Sequence, residues 1–270
     1  MSAAWDFNSL QNFQQTQLSH SRLFQSSPKK GPTLLLVHGG FHGAWCWTQF
    51  LNYFELHEIP AAAIDLRGHG GLTQGPSFLS EGVREAVLDV CEAAHMLRGP
   101  IVLVGHSLGA LIAMAAAETL SLAGLVMLAP SPPGQIPGLR KLPERPADQL
   151  VMPPGEDRAR SWFLSGYSGT NVSDFMTRLC PESPAMINDR YRLRVSTQAE
   201  WVKGPSLCLS AGKDDKLHNP PGQDKKVAEF YNADFQILPD AGHCFMLDDT
   251  WEQAAASIVN WLRQKLLIAL

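Results

Sequence analysis

The chain has 270 residues, 45% hydrophobic and 9% aromatic, and its 22 Lys and Arg against 26 Asp and Glu give a formal net charge of −4. So mild a charge supplies no polycation to grip phosphates, which argues against a nucleic-acid partner. The apolar content is too high for a chain that stays disordered because burial cannot offset the entropy of ordering, and the length allows one large α/β domain or two ordinary ones.

The first thirty residues have neither the positive start nor the apolar stretch of a secretory signal. Residues 1–30, with the polar run Asn12-Phe13-Gln14-Gln15-Thr16-Gln17, read as an N-terminal extension that holds candidate first strands. From Gly31 to Leu128, apolar runs at 33–37, 61–64, 101–104 and 125–128 alternate with candidate helices at about 45–56, 80–97 and 108–121. That alternation is the pattern of parallel strands joined by crossover helices, and near-continuous hydrophobicity suits strands covered on both faces. Ser80 is placed to cap the second helix, followed by Val83, Val87, Val90 and Ala94 at helical spacing. Pro130, Pro132, Pro133, Pro137, Pro143, Pro146, Pro153 and Pro154 then interrupt any long element. The alternation is lost over 131–203, where Trp162-Phe163-Leu164 and Phe175-Met176 read as short helices of an inserted cap or lid. It returns with a strand at 206–211, a helix near 223–231, a strand at 235–238 and a closing helix near 250–267. One core, 31–130 and 204–270, interrupted by a cap at 131–203, is the expected organisation. Five cysteines, at 46, 91, 180, 208 and 244, form neither an even framework nor a Cys-x-x-Cys pair. Reduced thiols in a cytoplasmic protein are expected, without a metal site, and no apolar run approaches the roughly 18 residues that span a bilayer.

Gly105-His106-Ser107-Leu108-Gly109 follows an apolar run and opens a helical stretch. It is a G-x-S-x-G nucleophile elbow in its strand–turn–helix context. A serine on so tight a turn is strained, and small residues two before and two after keep strand and helix apart. Serine needs a base to take its proton and a third group to orient that base. His243, just after the last strand, is the candidate base, in a loop able to reach the carboxyl edge of the sheet. The acid should follow the preceding strand, where Ala211-Gly212-Lys213-Asp214-Asp215 offers two carboxylates. On the residues alone these compete, one orienting the imidazole while the other faces solvent or pairs with a lysine. An oxyanion also needs backbone N–H donors, for which Leu108 and, in His38-Gly39-Gly40-Phe41, Gly40 are the candidates.

These segments, in this order, resemble the α/β-hydrolase superfamily over about 31–130 and 205–265. The resemblance implies an α/β fold with a mostly parallel central sheet flanked by helices. The family's acid stands three residues after a glycine, which selects Asp215 after Gly212, and its oxyanion donor maps onto Gly40. Asp65-Leu66-Arg67-Gly68-His69-Gly70 resembles a D-x-R-G-x-G segment that is chiefly structural in the family, so His69 receives no catalytic role. His42-Gly43-Ala44-Trp45-Cys46-Trp47 and 243–247 are also similar to the methylesterase and hydroxynitrile lyase group. Residues 65–70 and the cap depart from that group, so neither a methyl ester nor a cyanohydrin substrate is carried over.

The expected activity is a cofactor-independent serine hydrolase cleaving a carboxylic ester or thioester of a small to medium, partly apolar substrate through an acyl-enzyme. Ser107, Asp215 and His243 are its expected catalytic residues. Carbon–carbon bond, lactone or amide hydrolysis and hydroxynitrile cleavage use the same triad, a ligand-binding receptor with little turnover keeps the same fold, and a cofactor-free oxygenase could use the histidine–aspartate pair. Serine at the elbow argues against dehalogenase and epoxide hydrolase chemistry, which in this superfamily places an aspartate there. Phe41, His106, Trp162 and Phe163 are candidates for the substrate pocket, and His38 reads as a structural hydrogen-bonding residue. The partner is a small molecule, with no nucleic acid and no membrane insertion.

Overall fold

A computed structural model describes residues 5–27 and 30–265. An eight-stranded sheet runs in the order β1-β2-β4-β3-β5-β6-β7-β8. Its strands are β1 Gln14–Gln17, β2 Arg22–Gln25, β3 Thr33–Val37, β4 Ala61–Asp65, β5 Ile101–His106, β6 Leu122–Leu128, β7 Ser206–Ala211 and β8 Asp234–Leu238. The first two form an antiparallel pair that continues antiparallel onto β4, and every other pairing is parallel. The central strands β3, β4 and β5 are buried along their whole length, as their unbroken aliphatic runs require. Within the N-terminal extension, the Gln-rich run forms the edge strand β1. It presents polar side chains to solvent while its backbone pairs with β2, and the preceding Trp5 indole N–H donates to the Leu247 carbonyl at 2.8 Å.

Helices α1 Thr48–Leu56 and α8 Trp251–Gln264 contribute to one hydrophobic cluster, and α2 Val83–Met96, α3 Leu108–Ala116 and α7 Gln223–Phe230 to a second. The closing helix presents Ala254, Ala255, Ile258, Val259, Trp261 and Leu262 inward, while residues 266–267 of its expected span lie outside the described residues. Helix α2 is capped at Gly82, not at Ser80: Glu85 reaches back to accept the Gly82 N–H at 2.7 Å. Ser80 instead ends a short 3-10 turn and donates its hydroxyl to the Ser77 carbonyl. Helix α3 stops at Ala116, five residues before its expected end, because the chain turns through 117–120 into the longer strand β6.

Between β6 and β7 the chain forms α4 Glu156–Phe163, α5 Ser173–Arg178 and α6 Pro184–Tyr191. Pro184 sits at the first turn of α6, where its missing N–H has no intrahelical partner to lose, and the Ser183 hydroxyl caps that turn. A bridge between Val151 and Glu182 ties the segment together.

The elbow between β5 and α3 is closely packed. Ser107 has φ 52° and ψ −119°, a conformation that costs about 1–3 kcal/mol for a residue with a side chain. A Cβ on Gly105 would lie 2.5 Å from the Ala110 Cα, and one on Gly109 would lie 2.3 Å from the Val37 carbonyl oxygen. Both obstacles are backbone atoms of packed elements and cannot turn aside. Gly109→Ala is therefore expected to destabilise the fold by about 1–3 kcal/mol despite alanine's better helix propensity, read as a lower urea midpoint at unchanged slope; an unaltered midpoint would contradict this packing.

Candidate active site

Strand β5 delivers Ser107 to the carboxyl edge of the sheet, and α3 begins at the next residue. The Ser107 N–H donates to the Leu128 carbonyl at 2.9 Å, and its carbonyl accepts from the N–H groups of Ala110 and Ser131, each at 3.0 Å. Three backbone bonds thus hold the strained residue in place. Leu108 opens α3, where the first N–H groups have no acceptor within the helix. Neither its N–H nor that of Gly40, in the loop after β3, donates to an acceptor among the described residues. Both residues line the cavity that contains Ser107, so two free donors and the positive end of a helix dipole converge there. In the His38-Gly39-Gly40 turn the close fit belongs to Gly39, where a Cβ would lie 3.0 Å from His106 Nδ1 and 3.1 Å from the Ser107 Cβ.

His243 stands in the loop after β8. The Gly242 N–H before it donates to Asp248 Oδ2 at 2.6 Å, and the Cys244 N–H after it donates to the Phe163 carbonyl at 3.0 Å. Its Nδ1 faces Asp214 Oδ2 at 2.9 Å. Asp214 Oδ1 accepts the Asp215 N–H at 2.6 Å and the Asn219 side-chain amide at 3.2 Å. Burial alone would lower the His243 pKa, but the Asp214 carboxylate raises it above the ordinary value of 6.5.

The expected pairing of Asp215 with His243 is corrected by this geometry. Asp215 turns the other way, accepting the N–H groups of Leu217 and His218, each at 3.1 Å, together with the His218 ring Nδ1. Burial would raise its pKa, yet these bonds hold the carboxyl below the ordinary aspartate value. The cause is local: an aspartate that opens a turn satisfies the backbone two and three residues on. The carboxylate one residue earlier is left to face the histidine.

Of the candidates for the pocket, Phe41, Trp162 and Phe163 lie on the cavity wall, whereas His106 does not. His106 is 1% exposed and donates its Nε2–H to the His243 carbonyl at 2.9 Å. Burial pushes its pKa well below the ordinary value, so it stays neutral, and its Nδ1 is buried without a partner. It supports the backbone of His243 and does not reach the cavity. His38 accepts the Leu66 N–H at Nε2 and donates from Nδ1 to the Gly39 carbonyl.

Asp215 itself lies on the cavity wall. The cavity is open to solvent, and Ser131, Ile187, Arg190, Tyr191, His218 and Asn219 also line it. None of these carries a sequence signal, because most come from the irregular segment and from the turn after Asp215. Glu182 was equally hidden. It is 1% exposed, and its Oε2 accepts from His69 Nε2 at 3.0 Å and from the Phe41 N–H at 3.3 Å. Burial would lower the His69 pKa, but Glu182 raises it above the ordinary value. This ion pair ties the segment between β6 and β7 to the loop that carries Gly40. Among the described residues, no group of three or more His, Cys, Asp or Glu is arranged to hold a metal ion.

No described helix is long and apolar enough to cross a membrane. Residues 34–257 match the model of the alpha/beta hydrolase family. Protein phosphatase methylesterase 1 of Bos taurus is 37% identical over 114 residues, covering 40% of this chain and 30% of that protein, so the match spans less than a third of that relative's length. The crystal structure of the methylesterase MES16 from Arabidopsis has a TM-score of 0.70 at 20% identity, covering 86% of this chain and 98% of that one. A putative lipase from Acinetobacter baumannii AYE has a TM-score of 0.71 at 18% identity, covering 98% of each chain. At such identities these two structures support the fold alone. The extent of the family match, over a sheet whose carboxyl edge carries the serine elbow, places this chain in the alpha/beta hydrolase family.

Proposed function

We propose that this protein is a serine esterase that cleaves a carboxylic ester or thioester through an acyl-enzyme. The observation that carries the reading is the meeting of Ser107, His243 and the free N–H groups of Gly40 and Leu108 on one cavity, with Asp214 behind His243. The relatives named methylesterase and lipase support ester chemistry. In this reading residues 131–203 are a cap, and the aromatic wall of Phe41, Trp162 and Phe163 receives a small to medium, partly apolar substrate. The five cysteines are free thiols, which supports a reducing, cytoplasmic setting.

Ser107 Oγ attacks the ester carbonyl while His243 Nε2 takes its proton. Asp214 accepts the Nδ1–H, which fixes the tautomer and stabilises the imidazolium. The carbonyl oxygen becomes an oxyanion that accepts from Gly40 and Leu108, each donor being worth about 2.7–4 kcal/mol in comparable sites. His243 then returns the proton to the leaving alcohol or thiol. A water, deprotonated by His243 in turn, releases the acid and restores Ser107.

Ser107→Ala is expected to lower kcat on a p-nitrophenyl ester by at least about a thousandfold with unchanged circular dichroism; full activity in that variant overturns the reading. Asp214→Asn should lower kcat/KM by up to about ten-thousandfold, against less than about tenfold for Asp215→Asn, and the reverse order would return the acid role to Asp215. The base works only when neutral and its pKa is raised, so kcat/KM should fall as pH drops through a value above 6.5. Without the Asp214 carboxylate, burial dominates and the acid limb should move to lower pH; a limb that does not move means that another group titrates.

A further inference from the structure

Among the described residues, Arg190 is the one Lys or Arg side chain on the cavity wall, which it shares with the Asp215 carboxylate and the polar side chains of Ser131, His218 and Asn219. Arg190 stands on the last turn of α6, is 6% exposed, and lines the cavity together with Ser107 and His243. A guanidinium carries five N–H donors, and here Nη2 donates to the His218 carbonyl at 2.7 Å as the one side-chain hydrogen bond of Arg190 among the described residues. No carboxylate among those residues lies within 4.0 Å of it. Asp215 is bonded to His218 and Asp214 to His243, while Asp224, whose charge acts on Arg190 without touching it, accepts the Ser210 hydroxyl at Oδ2 and leaves Oδ1 buried without a partner. Burial lowers the Arg190 pKa to about 10, which leaves it a cation at neutral pH.

A buried cation that no carboxylate touches is costly unless something pairs with it. We propose that the substrate supplies that partner: the ester hydrolysed at Ser107 carries a second, free carboxylate that pairs with Arg190, so the natural substrates are half-esters or half-thioesters of dicarboxylic acids. This inference rests on the esterase reading and narrows it to a substrate class. A carboxylate fits better than a phosphate because one monovalent anion balances one guanidinium, whereas a dianion would face Asp214, Asp215 and Asp224 with excess charge. The planar fork of the guanidinium also matches a carboxylate. The apolar wall of Phe41, Trp162, Phe163 and Ile187 would cover the carbon chain between the two ends.

The test compares monomethyl with dimethyl esters of the dicarboxylic acids from malonate to suberate. Wild type should favour the half-ester of one chain length by about 10–100-fold in kcat/KM, the range of a charge-assisted hydrogen bond. That ratio should collapse towards one in Arg190→Met and recover in part, through KM, in Arg190→Lys. Because the ratio is taken within one protein sample, a loss of folded fraction does not alter it. Hydrolysis of both esters with no preference at any length, or a preference that survives Arg190→Met, overturns the subsite while the esterase reading stands. Calorimetry of the same half-esters on Ser107→Ala separates the two claims without turnover. Binding that weakens about 10–100-fold on adding Arg190→Met supports the subsite even where wild type hydrolyses neither ester, and binding indifferent to Arg190 overturns it.

Discussion

The geometry of the site depends on a backbone strain at one residue. Ser107 is held at positive φ between the end of β5 and the start of α3, and three backbone hydrogen bonds keep it there. The next residue, Leu108, begins α3 with its N–H free of any acceptor among the described residues. The strain at Ser107 is tolerated because Gly105 and Gly109 let α3 press directly on the backbones of β3 and β5. The parallel pairing of β3 with β5 then fixes the Gly39-Gly40 turn against the elbow. Local strain, sheet register and site geometry are in this sense one constraint.

A layer of buried histidines lies around this constraint, and each has a different task. His106 holds the His243 backbone while remaining neutral, and His38 joins the Gly39 carbonyl to the Leu66 N–H. His69 is raised in pKa through its pair with Glu182. Glu182 also accepts the Phe41 N–H, so the segment between β6 and β7 is fastened to the loop beside the free Gly40 donor. In the Asp65-to-Gly70 stretch, two charged side chains have partners. Asp65 accepts the Ala44 N–H at 2.6 Å, and Arg67 pairs with the buried Asp89 at 2.7 Å. Neighbouring imidazoles thus shift in opposite directions: burial lowers the pKa of His38 and His106, whereas the Glu182 carboxylate outweighs burial at His69.

The strands at 33–37 and 206–211 were legible to the residue, because unbroken aliphatic runs bounded by Gly and Pro leave little choice of period or boundary. The elbow was legible because its glycines meet a steric need that sequence spacing records. β1 was harder to read: its residues are polar, and it forms through backbone pairing with β2. The choice between Asp214 and Asp215 was beyond spacing, since it turned on Asp215 capping its own turn and engaging His218. His106 was misplaced for a related reason, for a side chain adjacent in sequence to Ser107 points to the opposite face of the strand end. Arg190 and Glu182 come from a proline-broken segment without periodicity, where only tertiary contact reveals what a side chain meets.

The central claim is that Ser107 is a nucleophile activated by His243. Intact-mass and peptide mapping after treatment with a fluorophosphonate probe tests it most directly. One adduct per chain is expected, on Ser107, forming more slowly as pH falls below the raised pKa of His243. Folded protein that takes up no adduct, or takes it up on another serine, would contradict it.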